Sequence, residues 1–230
     1  MKTTKFLICG LLLSSLFFFS CEKEGDKKEV KEAPLFPLSI GNSWTYQNLT
    51  YNWHYPYAEP YEDEPFNIKI DYSYTIDGKT GYTAAEYTEG QPVSLLNNDN
   101  KGNTIEYFFN NNKLVHQTFF IKKNLKKGDK WVRQTAVYSN GDFSQYEIQE
   151  WEIACIATDT LIITPAGEFQ CVGLLYHPEA FESNGDFSHT FVSYYAENVG
   201  QVKYLHYEYK NTDKNLFRER VLIDYSVKKE

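Results

Sequence analysis

The chain reads as an all-β domain, an antiparallel meander of about ten or eleven strands curled into an open or half barrel. Three observations predict this. The 230 residues include 19 Tyr, 16 Phe and 4 Trp but a single Met, the initiator. Aromatic residues and threonine fit pleated, half-buried surfaces, whereas long helices favour Ala, Leu, Met and Glu. From Ser43 onward, apolar residues alternate or run in short blocks, and no helical period is sustained. Asp77-Gly78, Asn140-Gly141 and Asn184-Gly185 punctuate those blocks. Such dipeptides favour two-residue hairpins, because both turn positions need positive φ. Strands joined this way leave edges that must be hidden, and curling hides them. A two-sheet β-sandwich is the alternative arrangement.

Residues 1–20 stand apart from that domain. Lys2 and Lys5 precede the apolar run Phe6–Phe19, and Ser20-Cys21 follows. A short basic segment, an apolar segment and a small residue make a secretory signal peptide. The run is too short for a transmembrane helix, which needs about 20 residues. Cys21 and the charged stretch Glu22–Glu29 after it resemble a bacterial lipoprotein signal, with Phe18 and Phe19 departing from the usual pattern. The resemblance implies cleavage before Cys21 and acylation (palmitate among the chains) of that cysteine. Its implied location is the outer membrane of a Gram-negative envelope, facing the cell surface. One acyl chain holds a protein weakly at a membrane, while two or three hold it lastingly. A disulfide partner or an incidental cysteine are the alternatives for Cys21. Residues 21–33 are then a charged flexible tether.

Residues 34–230 remain as one domain, a length suited to a single core. Pro34 and Pro37 mark its entry. Strands are expected near 43–51, 66–76, 80–88, 104–110, 113–121, 131–139, 142–157, 168–177, 187–196, 200–209 and 216–226. Asn110-Asn111-Asn112 is expected to turn the chain as the Asn-Gly pairs do. Ser-Asn-Gly-Asp-Phe-Ser occurs at 139–144 and again at 183–188. It reads as a reused turn, with a duplicated binding loop as the alternative.

Four stretches carry a family resemblance. They are Phe36-Pro37-Leu38, Gly41-Asn42-Ser43-Trp44-Thr45-Tyr46, Thr164-Pro165-Ala166-Gly167-Glu168-Phe169 with Cys171, and Tyr194–Lys203. In this order and spacing they resemble the TapB-like group of secreted and lipoprotein-type β proteins. The resemblance implies a strongly curved antiparallel sheet related to lipid- or lipoprotein-carrying half-barrels, and it implies no catalytic residue.

The residues themselves point away from catalysis. The formal net charge is −8, and it becomes more negative once Lys2 and Lys5 leave with the signal. Without a basic stripe, the chain has no electrostatic footprint for nucleic acid. The short patch Lys122–Lys127 reads as a solvated loop. His54, His116, His177, His189 and His206 lack the helical i, i+4 spacing of a zinc site. Asn97–Gly102 fails as a calcium loop because Lys101 stands where an oxygen ligand is required. No nucleophile elbow or phosphate-binding glycine loop occurs. Neither a metal nor a cofactor is expected, and the chain reads as a non-enzyme, with a hydrolase the least favoured reading.

Cys155 and Cys171 lie on consecutive expected strands in an oxidising compartment, so they could form a disulfide; two buried thiols are the alternative. Asp159-Thr160-Leu161 resembles an O-glycosylation sequon of exported bacterial proteins, which marks Thr160. Residues 51–61 hold Trp53, Tyr55, Tyr57 and Tyr61 between two expected strands, with Pro56 and Pro60 preventing regular pairing. These rings either plug the sheet edge or contact a small amphipathic or glycan ligand. The chain therefore reads as a membrane-tethered binding or envelope accessory protein. A structural protein with a filled core and a protein partner is the alternative. Cys21→Ala should move the protein from the membrane pellet to the soluble fraction. A variant that still pellets after a high-salt wash would contradict lipid anchoring.

Overall fold

The computed structural model describes residues 32–52, 59–83, 94–139, 142–176, 188–210 and 213–228. Its fourteen strands are all antiparallel and form two sheets that do not close into a barrel. No helix occurs among the described residues. The expected all-β class holds, and the two-sheet layout fits both an open half-barrel and a sandwich.

The chain enters with β1 (Ser43–Thr50), β2 (Tyr61–Glu62) and β3 (Phe66–Lys69). It then builds a five-stranded sheet from β4 (Ser73–Ile76), β5 (Lys79–Tyr82), β6 (Ser94–Asn98), β7 (Thr104–Asn110) and β8 (Lys113–Ile121). The second half is a long meander of β9 (Lys130–Ser139), β10 (Asp142–Thr164), β11 (Gly167–Tyr176), β12 (Ser188–Ala196), β13 (Gly200–Lys210) and β14 (Asp213–Ser226). β14 returns to pair with β1, giving the large sheet the order β2-β1-β14-β13-β12-β11-β10-β9, with β3 also on the free edge of β1.

The turns follow the expected chemistry. Asp77 and Gly78 have φ of 47° and 74°, and Asn111 and Asn112 have 49° and 61°, the signature of two-residue hairpins. Asn140-Gly141 and Asn184-Gly185 lie outside the described residues, as does most of the repeated hexapeptide.

Three elements differ from expectation. The single strand expected over 66–76 is two strands in different sheets. The chain breaks at Ile70, fully buried, whose N–H donates to Asn42 O at 2.9 Å and whose carbonyl accepts from Gly41 N at 2.7 Å. Burial of Ile70 against the core outweighs continuation of the strand. β6 is polar, Ser-Leu-Leu-Asn-Asn, and carries no alternation that would reveal it. β10 runs on through Thr158-Asp159-Thr160 to Thr164, because two register shifts between Cys155 and Thr160 absorb the polar residues as bulges.

The main core gathers Leu35, Phe36, Leu38, Trp44, Tyr46, Phe169, Cys171, Tyr195, Ala196 and Val202 with residues of both sheets. Trp44 is fully buried on β1. Its indole N–H donates to the Val199 carbonyl, and its ring lies 5.2 Å from that of Phe36. Asn42, also fully buried, spends its side chain completely: Nδ2 donates to Pro37 O and Oδ1 accepts from Lys228 N. Asn198 N–H donates to Pro34 O, joining the β12–β13 turn to the chain entry.

Gly200 makes this approach possible. Its φ is +105°, and a Cβ there would stand 2.9 Å from Phe36 Cδ2 and 3.1 Å from Trp44 Nε1. Gly200→Ala should therefore destabilise the domain by about 2–4 kcal/mol through backbone strain and overpacking. Chemical denaturation would show this as a lower midpoint; an unchanged midpoint would contradict the packing described.

Candidate functional site

The face of the large sheet that carries the core is sealed at the Trp44 end and open further along. Alternation sets which side chains line it. The register places Trp151 opposite Arg133, Tyr176 opposite Phe191, Phe191 opposite His206, and Ser193 opposite Tyr204. With Phe120 from β8, Tyr195 and Gln201, these side chains other than His206 line an open cavity of about 250 Å³. That is close to the smallest volumes typical of ligand pockets, about 300 Å³. It would take a flat ring system of two rings or fewer.

The walls are aromatic. Phe191 stacks on Tyr204 at 6.0 Å and lies tilted against Trp151 at 6.2 Å. The polar groups form a connected set at the deep end. The Tyr176 and Tyr195 hydroxyls are 3.3 Å apart, Gln201 Nε2 donates to Ser193 Oγ at 3.2 Å, and the Tyr46 hydroxyl donates to Gln201 O at 2.9 Å. Burial raises the Tyr176 hydroxyl well above the ordinary tyrosine range, so it remains a neutral donor and acceptor. Arg133 reaches the cavity already paired. Its Nε and Nη2 both donate to Glu106 Oε2, at 3.1 and 2.7 Å, and its guanidinium lies 4.3 Å from the Phe120 ring centre.

At the other end of the face His189, His206 and Glu208 present ligand-type atoms within 4.8 Å of one another. His189 Nδ1 is 3.0 Å from His206 Nε2 and 3.8 Å from Glu208 Oε1. Sequence spacing hides this group because cross-strand pairing, not an i, i+4 helix, assembles it. These three residues could hold a cation, contrary to the expectation drawn from spacing. The local field opposes it. Arg218 faces His206 across β13–β14, and burial, His189 and Arg218 together push His206 down to about 4.

The positions singled out in the sequence fall as follows. Cys21, Trp53, Tyr55 and Tyr57 lie outside the described residues. Tyr61 is on β2, 70% exposed, and takes no part in the cavity. Thr160 is half-buried at the β10 bulge, between exposed Asp159 and Leu161, and its register partner is Cys171. Asp99 in the Asn97–Gly102 loop accepts from the Lys101 and Asn103 amides, as a polar turn does. The disulfide considered for Cys155 and Cys171 is not formed. Cys155 pairs with Leu174 and Cys171 with Thr160, so the register keeps the sulfurs out of opposition, and both are free buried thiols. The functional residues that sequence reasoning missed are Arg133, Trp151, Tyr176, Phe191 and Tyr204. They sit on five different strands, and their only common signal is facing alternation.

No family model and no curated protein matches the chain. It is similar to two solved structures. One is a candidate lipoprotein from Parabacteroides distasonis ATCC 8503, 14% identical over 84% of this chain and 99% of that one, with a TM-score of 0.38. The other is a candidate exported protein with a YmcC-like fold from Bacteroides fragilis NCTC 9343, 17% identical over 85% and 100%, also with a TM-score of 0.38. Likenesses this distant leave function to be argued from the site itself.

Burial raises both thiols, Cys171 to about 12. Since the thiolate is the reactive form, iodoacetamide at about pH 8 should leave Cys155 and Cys171 unmodified in the native protein and label both after unfolding. Peptide mass analysis reads the outcome, and fast native labelling of either would contradict their burial.

Proposed function

We propose that this chain is an envelope lipoprotein, tethered through Cys21, whose β domain binds a small amphipathic molecule without transforming it. The observation that carries the reading is the 250 Å³ cavity walled by Trp151, Phe191, Tyr204 and Phe120 and floored by the Tyr176–Tyr195–Ser193–Gln201 hydrogen-bond set. Aromatic walls with a few convergent polar groups are what a small-molecule site requires. The non-catalytic part of the proposal rests on the chemistry of the lining. Its one carboxylate-linked group, Arg133–Glu106, is a closed ion pair, and burial raises the Tyr176 and Tyr204 hydroxyls rather than activating them. Outer-membrane placement facing the cell surface, and membership of the TapB-like group, belong to the same proposal and rest on the Cys21 segment and the four motifs.

The competing reading is a structural protein that docks a protein partner. It would place exposed apolar residues together. Leu161 and Ile163, 51% and 66% exposed on alternate positions of β10, are the feature that favours it.

Calorimetric titration with naphthalene-2-carboxamide separates the two. A saturable one-to-one complex is expected, weakened about tenfold by Trp151→Ala, which removes one stacking wall. A protein that takes up no probe would sink the cavity reading and leave the docking protein.

A further inference from the structure

Arg218 and Arg220 are alternate residues of β14, so both side chains leave the sheet on the face that carries the cavity. Arg220 stands opposite Tyr204 on β13 and Asn48 on β1; Arg218 stands opposite His206 and Thr50. The Arg220 guanidinium lies 5.5 Å from the ring centre of Tyr204, a cavity wall, and 4.8 Å from that of Phe66. Arg220 therefore borders the cavity through Tyr204, and Arg218 lies in the next row, beyond His206 from the cavity wall Phe191.

Their partners are incomplete. Arg133 on the opposite side of the cavity has Glu106, whereas Arg218 and Arg220 form no ion pair among the described residues. Arg220 Nε donates to the neutral Asn48 Oδ1 at 3.2 Å. Arg218 Nε is buried with no hydrogen-bond partner. Burial and the charge of Arg218 both act to lower the pKa of Arg220. The carboxylate on this face, Glu208, lies one row further along and contacts His189. Two adjacent cations, partly withdrawn from water and lacking a counter-charge, cost free energy that an entering anion would recover. Guanidinium groups suit this role, since their planar forks match the oxygens of carboxylate and phosphate.

We propose that the cavity ligand is an organic oxyanion, a flat apolar body bearing a carboxylate or phosphate ester, with the oxyanion held by Arg218 and Arg220. This deepens the cavity reading above and rests on it. The ring lies between Trp151, Phe191 and Tyr204, and the charge points toward β14. In a strongly acidic chain the two arginines then act as a local receptor for negative charge.

The test compares isosteric probes on the full folded protein by calorimetric titration: naphthalene-2-carboxylate and 1-naphthyl phosphate against the neutral naphthalene-2-carboxamide. At least one anion should bind tenfold or more tighter than the amide, and its advantage should shrink with added salt. Arg218→Gln with Arg220→Gln should reduce the anion to the affinity of the amide and leave amide binding unchanged. Equal binding of all three probes by the unaltered protein overturns the oxyanion assignment while the cavity reading stands. Failure of all three to bind overturns both. The comparison on the unaltered protein decides the matter even if the double variant does not fold.

Discussion

The rest of the structure depends on the burial of Trp44 against the β12–β13 turn. Trp44 belongs to the first strand of the large sheet, and its hydrogen-bond acceptor, Val199, lies 155 residues away. Replacing a buried tryptophan by a small residue typically costs about 3–5 kcal/mol, a sizeable share of a domain's net stability. Gly200 gives the indole room, Phe36 covers it, and Asn42 satisfies the backbone around it with both ends of its amide. The contact closes the long meander on itself. β14 can reach β1 because the neighbouring turn is fixed to β1 from the inside, and only then do Asn48, Arg220 and Tyr204 share one row.

That closure divides the inner face into two regimes. Near Trp44 the apolar side chains interdigitate, and the buried polar groups are matched within the protein. Further along, Trp151, Phe191, Tyr204 and His206 are only half-buried, and a cavity opens between them. Charge follows the same division. On the outer side Lys203 pairs with Glu219, which also accepts from the Tyr51 hydroxyl. On the inner side Arg133 is neutralised by Glu106, and Arg218 and Arg220 form no ion pair among the described residues. A face that is apolar in its walls, polar at its floor and cationic at one margin is shaped for an amphipathic anion more than for a protein surface.

Much of this architecture is legible in the sequence. The strands of the second half, β10 excepted, fall within a few residues of the positions that alternation and turn residues indicate. The failures have local causes. β6 is short and polar, so its pairing with β7 rather than its composition makes it a strand. The break at Ile70 is a tertiary decision, invisible to a window that sees only neighbours. The four motifs resembling the TapB-like group turn out to be structural. Phe36 from the first, Trp44 from the second and Gly200 from the last meet at one contact, and Phe169 and Cys171 from the third are buried in the same core. The candidate site was hardly legible at all. Its members come singly from β8 to β14, and no spacing along the chain links Arg133 to Tyr204. The aromatic loop drew attention because its rings are contiguous in sequence, while the cavity draws its rings from strands that meet only after folding.

A crystal structure of the protein with naphthalene-2-carboxylate tests the central claim most directly. The account predicts the naphthalene ring between Trp151, Phe191 and Tyr204, with the carboxylate oxygens within hydrogen-bond distance of the Arg218 or Arg220 guanidinium. A cavity filled by the protein's own side chains, or a probe seated on another face with both arginines paired to carboxylates of the chain, would contradict it.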